Sequence, residues 1–365
     1  MEIPGKILYD AVKALVSLGQ DTLYFEVLPP GLRLSVEDSH RPALGTVAVP
    51  VLHDEPPASW RVPWAPVLAW AGAASAGAAR LHRDGEALVL STWGFESRIP
   101  PVVLDSQACP RLRPEKDLTW IPLDSTTFTQ MTQAVQWAAG DERVRPELST
   151  VQYEIRDGWL SSQAMGQPCM ARATREISWA FEAPIRWVLD KTEAQRIAAQ
   201  DFKSLALEPT AQNPTGLRLK SGSSAFRFPL VQTTMPDTES MWGPMRDKAL
   251  LSQVDVLALP LRNGLKRLAE AMGKASDSAF PIVTLEDGQL VLSVQGNWKA
   301  QVRVPLHQTG VLALGGEYNS RMLLDASQGM LDDRPIHLHS EGHHLAMANS
   351  TGTQGRFAVF TSRVS

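Results

Sequence analysis

The sequence predicts an α+β chain of three similar domains, each made of two repeats of one helix followed by antiparallel strands. Three observations predict this: a glycine-containing hairpin signal recurs six times, a helical pattern precedes each one, and the intervals between them alternate. The hairpins are PPGLRLSVED around Gly31, RDGEALVLST around Gly85, RDGWLSSQAM around Gly158, NPTGLRLKSG around Gly216, EDGQLVLSVQ around Gly288 and SEGHHLAMAN around Gly342. Each reads as a tight turn followed by alternating or apolar residues. Their glycines lie 54, 73, 58, 72 and 54 residues apart. Short and long spacings alternate, as expected of three domains with two similar halves each.

The helical segments are Lys6–Leu18, Pro66–Ala79, Thr126–Ala139, Thr192–Gln200, Pro260–Gly273 and Tyr318–Met330. In the third, Phe128, Met131, Val135 and Ala138 fall on one stripe. In the fifth, Leu261, Leu265, Leu268 and Met272 do the same, with Arg262, Lys266, Arg267 and Glu270 on the other faces. Such a helix buries one face on a sheet and leaves the other to solvent or a partner. Pro and charge cluster at Ala108–Asp117 and at Met235–Lys248. Cuts there give domains 1–117, 118–245 and 246–365, each of ordinary domain size.

Composition narrows the function classes. With 365 residues, 44% hydrophobic and 20% charged, the chain reads as soluble and globular. A formal charge of −4 means that any nucleic-acid contact comes from local basic patches. Cys109 and Cys169 lack metal-ligand spacing and read as reduced thiols of a cytoplasmic protein. The N-terminal MEIPGKILYDAVKAL carries Asp10 inside its apolar stretch, unlike a signal peptide. No run approaches the roughly eighteen apolar residues that span a bilayer.

Four stretches carry a family resemblance. They are RVRPELSTVQYEIRDGWL (Arg143–Leu160), FRFPLVQTTMPD (Phe226–Asp237), YNSRMLLDASQGM (Tyr318–Met330) and RFAVFTSRV (Arg356–Val364). Their order and the spacing of the six units resemble the bacterial DNA polymerase III beta sliding clamp, over nearly the whole chain. The resemblance implies the DNA clamp fold and a ring-forming homodimer around double-stranded DNA, without chemistry or cofactor. It also implies that DNA polymerase and clamp-loader subunits bind through short hydrophobic peptide motifs. A clamp of this kind is cytoplasmic and nucleoid-associated, and topological linkage lets a mildly acidic ring hold DNA through weak sliding phosphate contacts.

The resemblance assigns DNA contact to Lys13, Arg143, Arg145, Arg196, Lys203, Arg262, Lys266 and Arg267. Singly, such residues are more often solvated helix faces. The second helix has no lysine or arginine before Arg80 and the third has none, so the lining is expected to be uneven. The segment Ser17–Phe25 is shorter than the family's basic loop there, which implies that one DNA-contacting element is missing. The implied partner-peptide pocket comprises Leu148, Met165, Cys169, Met170, Pro229, Thr234, Val359, Phe360, Thr361, Ser362, Arg363 and Val364. Thioether, thiol and ring carbons replace the family's polar groups at 165–170, which implies altered partner specificity.

Rival features are few. His337 and His339 on one strand face, with His343, His344 and Glu341 near the turn, form a candidate divalent-metal cluster, but the spacing matches no ligand motif. Gly-x-Ser-x-Gly, P-loop, Cys-x-x-Cys and His-Glu-x-x-His patterns are absent from the sequence. Of the eleven tryptophans, Trp60, Trp64, Trp70 and Trp93 concentrate in the first domain. Volume filling beside the Ala-rich helix explains them better than base stacking. The alternative function is a clamp-fold adaptor that binds proteins and has lost DNA encirclement.

Overall fold

The structure, a computed structural model, describes all residues except 17, 19–21, 29–30, 39–42, 52–55, 104–108, 113–117, 119, 141–144, 167, 180, 209–213, 234, 253, 274–279, 296–298, 309–315 and 363–365. In chain order, β1 (Glu2–Pro4) and α1 (Gly5–Val16) lead into β2 (Thr22–Leu28), β3 (Gly31–Glu37) and β4 (Leu44–Pro50). The order repeats as β5 (Ala58–Pro63), α2 (Trp64–Ala74), β6 (Ala78–Asp84), β7 (Ala87–Thr92) and β8 (Phe95–Ile99). After β9 (Val102–Val103) come β10 (Trp120–Ile121), α3 (Ser125–Val135), β11 (Thr150–Arg156), β12 (Trp159–Met165) and β13 (Cys169–Glu176). Next are β14 (Ile185–Asp190), α4 (Lys191–Ala198), β15 (Ser204–Glu208), β16 (Gly216–Ser221) and β17 (Ser224–Pro229). Helix α5 (Thr238–Leu250) precedes β18 (Asp255–Leu257), α6 (Ala258–Met272), β19 (Ile282–Glu286), β20 (Gln289–Gln295) and β21 (Lys299–Gln308). The chain closes with β22 (Gly316–Glu317), α7 (Ser320–Gly329), β23 (Pro335–Glu341), β24 (His344–Ser350) and β25 (Gln354–Thr361).

Strand, helix and three strands thus follow one another six times, and the strands pair antiparallel. The six expected hairpins are β2–β3, β6–β7, β11–β12, β15–β16, β19–β20 and β23–β24. Asp157 and Gly158 have φ of 51° and 78°, and Asp287 and Gly288 have 50° and 73°. Two successive left-handed residues make the turn whose twist matches paired strands. Gly31 differs, since it opens β3. A Cβ there would stand 2.5 Å from the Val49 carbonyl oxygen, so close backbone approach selects glycine.

The chain divides into two units. The first holds Met1–Thr127 and Arg196–Leu230. It contains a four-stranded sheet, β1-β6-β7-β8, and a nine-stranded sheet, β10-β15-β16-β17-β4-β3-β2-β5-β9. Leu8, Val12 and Leu15 of α1 and Val67, Trp70 and Ala74 of α2 are buried in its core. Trp70 is fully enclosed and donates from Nε1 to the Ser91 carbonyl at 2.9 Å, filling volume as its Ala-rich helix suggested. Trp60 is buried too, but Trp93 fills no volume: it is fully exposed in the turn between β7 and β8. The start of α1 touches the end of α2, where a Cβ on Gly5 would collide with the Ala74 carbonyl. The expected helix to Ala79 stops at Ala74, because Ser75 and Gly77 turn the chain into β6.

The second unit holds Phe128–Gln195 and Val231–Ser365 around a twelve-stranded sheet, β14-β11-β12-β13-β25-β24-β23-β18-β21-β20-β19-β22. Its α6 buries the anticipated Leu261, Leu265, Leu268 and Met272 stripe. Tyr153 is fully buried between Phe128 and Trp187, with ring centroids at 4.9 and 5.3 Å. Its hydroxyl meets Thr132 Oγ1 at 2.6 Å. One element was unforeseen: Met235–Lys248 reads as a Pro-rich boundary, yet Thr238–Leu250 forms α5. Asp237 caps it by accepting from the Glu239 and Ser240 amides, while Met245 and Ala249 pack on the sheet. Tertiary contact overrides the helix-breaking Pro244 here.

Candidate nucleic-acid and partner surfaces

Helix geometry sorts the predicted cations by what their side chains touch. On α1, Lys13 is exposed and its Nζ lies 6.0 Å from the Tyr9 ring centroid. Lys203, after α4, is exposed, and so are Lys266 and Arg267 on α6. Arg145 is exposed just before a 3-10 turn at Pro146–Leu148, and Arg143 lies outside the described residues. Two others are engaged. Arg196 is half-buried and its Nη1 lies 3.3 Å from Asp38 Oδ2. Arg262 donates from Nε to the Ser327 carbonyl at 2.7 Å and from Nη2 to the Met330 carbonyl at 3.0 Å, and pairs with Asp332. That guanidinium ties α6 to the end of α7. The exposed positions of α2 are Ala65, Leu68, Ala69, Gly72 and Ala73, and those of α3 include Thr126, Gln130 and Gln133. Neither helix presents a cation. Of the shortened segment Ser17–Phe25, Leu18 and the β2 residues Thr22–Phe25 are described, and residues 17 and 19–21 lie outside the described residues.

The predicted peptide-pocket residues of the second unit are divided by strand alternation. Cys169 lies opposite Phe360, and Met170 opposite Val359, in the β13–β25 ladder. Adjacent residues point to opposite faces, so the two pairs cannot share one groove wall. Cys169 and Phe360 turn toward the 3-10 turn Gln136–Ala138. The thiol reaches the Ala138 carbonyl at 3.9 Å, and the Phe360 ring stacks on Trp137 at 5.8 Å. Nearby, the Gly140 amide donates to the Leu148 carbonyl at 2.8 Å. Burial pushes the Cys169 thiol up to about 12, with Lys191 pulling the other way, so it is an apolar filler and not a nucleophile. Trp137 is half-buried and was not anticipated; an aromatic at the end of the third helical pattern was its only signal.

Met165, Met170 and Val359 instead face α5, packing with Met245, Ala249 and Trp242. At the end of β25, the Thr361 amide donates to the Pro168 carbonyl at 2.8 Å and Ser362 to that of His343 at 2.7 Å. Pro229 is half-buried at the end of β17 in the first unit. Thr234, Arg363 and Val364 lie outside the described residues.

The histidines do not converge. His337 Nδ1 lies 3.7 Å from Asp255 Oδ2, and His339 Nε2 lies 3.7 Å from Glu341 Oε2. His344 meets Thr361 Oγ1 at 3.2 Å and stands edge-on to Trp242 at 5.0 Å. Among the described residues no three His, Cys, Asp or Glu side chains are grouped to hold a metal ion. Among the same residues no helix is long and apolar enough to cross a membrane.

No protein-family model matches the chain, and no curated protein matches it in sequence. Solved structures do match in fold. The DNA polymerase III beta subunit of Pseudomonas aeruginosa superposes with a TM-score of 0.83 at 14% identity, covering 100% of both chains. The DNA polymerase sliding clamp of Bacillus subtilis gives 0.83 at 12% identity, covering 100% of this chain and 98% of its own. The beta subunit of Thermotoga maritima gives 0.80 at 15% identity, covering 100% and 99%. With six strand–helix–three-strand units in the same order from end to end, the chain has the fold of the bacterial DNA polymerase III beta subunit, the sliding clamp.

Proposed function

We propose that the chain is a DNA sliding clamp, a homodimeric ring that encircles duplex DNA and tethers DNA polymerase, clamp-loader subunits and other partners. The observation that carries this is the end-to-end match in fold to solved beta subunits, covering all of this chain and 98–100% of theirs. The six units then group into domains 1–117, 118–245 and 246–365. Ring closure would use two open sheet edges. Strand β8 pairs only with β7, and residues 299–304 of β21 pair only with β20, among the described residues. An open edge is a template for another chain, and a head-to-tail contact that closes gives a ring.

Inside such a ring, Lys13, Arg145, Lys203, Lys266 and Arg267 would make mobile phosphate contacts, joined by Arg143. No bond is made or broken, so no catalytic group is required. Partner peptides would be recognised near Leu148, Cys169, Phe360 and Trp137. The setting is cytoplasmic and nucleoid-associated. Light scattering should give twice the 40.0 kDa chain mass, and the protein should be retained on circular DNA and lost when that DNA is linearised.

A second reading, a clamp-fold adaptor that binds proteins without encircling DNA, is favoured by the uncharged faces of α2 and α3 and by the engagement of Arg196 and Arg262. A monomer at high concentration that ignores DNA topology would select it.

A further inference from the structure

The outer face of the second unit's sheet collects polar groups that its packing leaves unsatisfied. By strand alternation and register, Met170 and Arg172 of β13, Phe357 and Val359 of β25, Ala346 and Ala348 of β24, and His337 and His339 of β23 share this face. Asp255 stands directly opposite His337. Helix α5 lies across the apolar part, burying Met245 and Ala249 and packing Trp242 and Leu250 at the margin. Buried atoms without a hydrogen-bond partner include Trp242 Nε1 on the helix and Arg172 Nε, Asp255 Oδ1, His337 Nδ1 and His339 Nε2 on the sheet. His337 Nδ1 and His339 Nε2 face the Asp255 and Glu341 carboxylates at 3.7 Å, so the mismatch at this contact rests on Trp242 Nε1 and Arg172 Nε, atoms that native structures rarely leave unmet.

The helix is also weak in itself. Gly243 and Pro244 stand together inside it, so the Ser240 carbonyl loses its intrahelical donor and the backbone gains entropy on release. A polar cleft of about 670 Å³ and a mainly apolar one of about 210 Å³ flank it, whereas the core between α6 and the inner sheet face keeps a void of only about 20 Å³. Besides the burial of Met245 and Ala249 on the sheet, polar contacts hold its two ends. Glu239 near its start pairs with Arg172, Thr238 Oγ1 donates to Gln163 Oε1 at 2.5 Å, and Lys248 near its end reaches Glu341 at 2.6 Å.

We propose that this face is a docking groove for an amphipathic helix, and that α5 is its built-in, displaceable occupant. The contacts of α5 describe the partner. It carries bulky apolar residues at i and i+3 and a small one at i+7, as Trp242, Met245 and Ala249 do, an acid toward its start for Arg172 and a base toward its end for Glu341. It lacks the Gly-Pro step, so it enters the groove already helical and loses less entropy than α5. Displacement uncovers Met165, Met170 and Val359. The inference goes beyond the clamp reading and holds whether or not the chain encircles DNA.

The probe is a fluorescein-labelled peptide of residues 235–252 carrying Gly243→Ala and Pro244→Ala, titrated against the full chain by anisotropy. Binding should be at least tenfold tighter to a Met245→Glu chain, whose own helix is repelled from the groove, than to the wild type. The same peptide with Trp242→Ala and Met245→Ala should not bind. Absence of binding to a Met245→Glu chain that melts as the wild type does overturns the proposal. If that variant fails to fold, hydrogen exchange on the wild type decides. Amides of α5 exchanging at least a hundredfold faster than those of β24 and β25 support displacement, and comparable protection refutes it. Retention on circular DNA is a separate readout that neither outcome moves.

Discussion

Replacing Arg262 by alanine separates a structural arginine from DNA-facing ones on the same helix. Its side chain is 15% exposed, and two of its three partners are the Ser327 and Met330 carbonyls at the end of α7. Hydrogen bonds from a charged donor are each worth about 1.5–3 kcal/mol. The third partner, Asp332, is 80% exposed and adds little. The two carbonyl bonds share one side chain and are not additive, so Arg262→Ala should cost about 2–4 kcal/mol. For a unit of this size that lowers Tm by roughly 5–10 °C. The double change Lys266→Ala and Arg267→Ala removes exposed side chains with no buried partner among the described residues and should leave stability within about 0.5 kcal/mol. If both residues touch phosphate, it lowers the slope of log affinity against log salt by about 2. Urea unfolding and salt-titrated DNA binding measure the two effects. An Arg262→Ala chain as stable as the wild type, or a double variant as unstable as Arg262→Ala, would refute the division.

Thr132→Val strands the buried Tyr153 hydroxyl and should cost about 2 kcal/mol, whereas Tyr153→Phe leaves Thr132 bonded to the Phe128 carbonyl and should cost about 1 kcal/mol; urea midpoints compare them. Cys169 should resist iodoacetamide at pH 8 in the folded chain and react at least a hundredfold faster in urea, followed by mass spectrometry. Its folded pKa of about 12 exceeds the usual 9.0, so the unfolded chain releases this proton first. The contribution to stability is therefore complete below about pH 9 and falls by about 1.4 kcal/mol per pH unit between pH 9 and 12. Cys169→Ser should flatten that part of the profile. Gly158→Ala should lower stability by about 1 kcal/mol, since its φ of 78° suits glycine, and thermal melts test this.

Much of the fold was legible because its signals are local. Four of the six hairpin glycines, Gly85, Gly158, Gly288 and Gly342, take a left-handed backbone, while Gly31 and Gly216 open strands; with apolar stripes reporting which helix face is buried, six hairpins and six helices could be read from residues near one another in the chain. Positions such as Leu261, Leu265 and Leu268 follow from the helical period alone. What a side chain does at its far end is a different matter. Nothing local distinguishes Arg262 from Arg267, yet one reaches the end of α7 and the other is exposed on α6. A family pattern gathered Cys169, Met170, Val359 and Phe360 as one set. The two-residue period of the β13–β25 ladder sends them to opposite faces, which only the pairing register could decide. Helix α5 is the clearest case. By itself MPDTESMWGPMRDK reads as a breaker-rich linker, and the sheet under Met245 and Ala249 makes it a helix. Local propensity and periodicity determined the repeating units, while burial and ion pairing between residues distant in the chain decided which surfaces remain available for function.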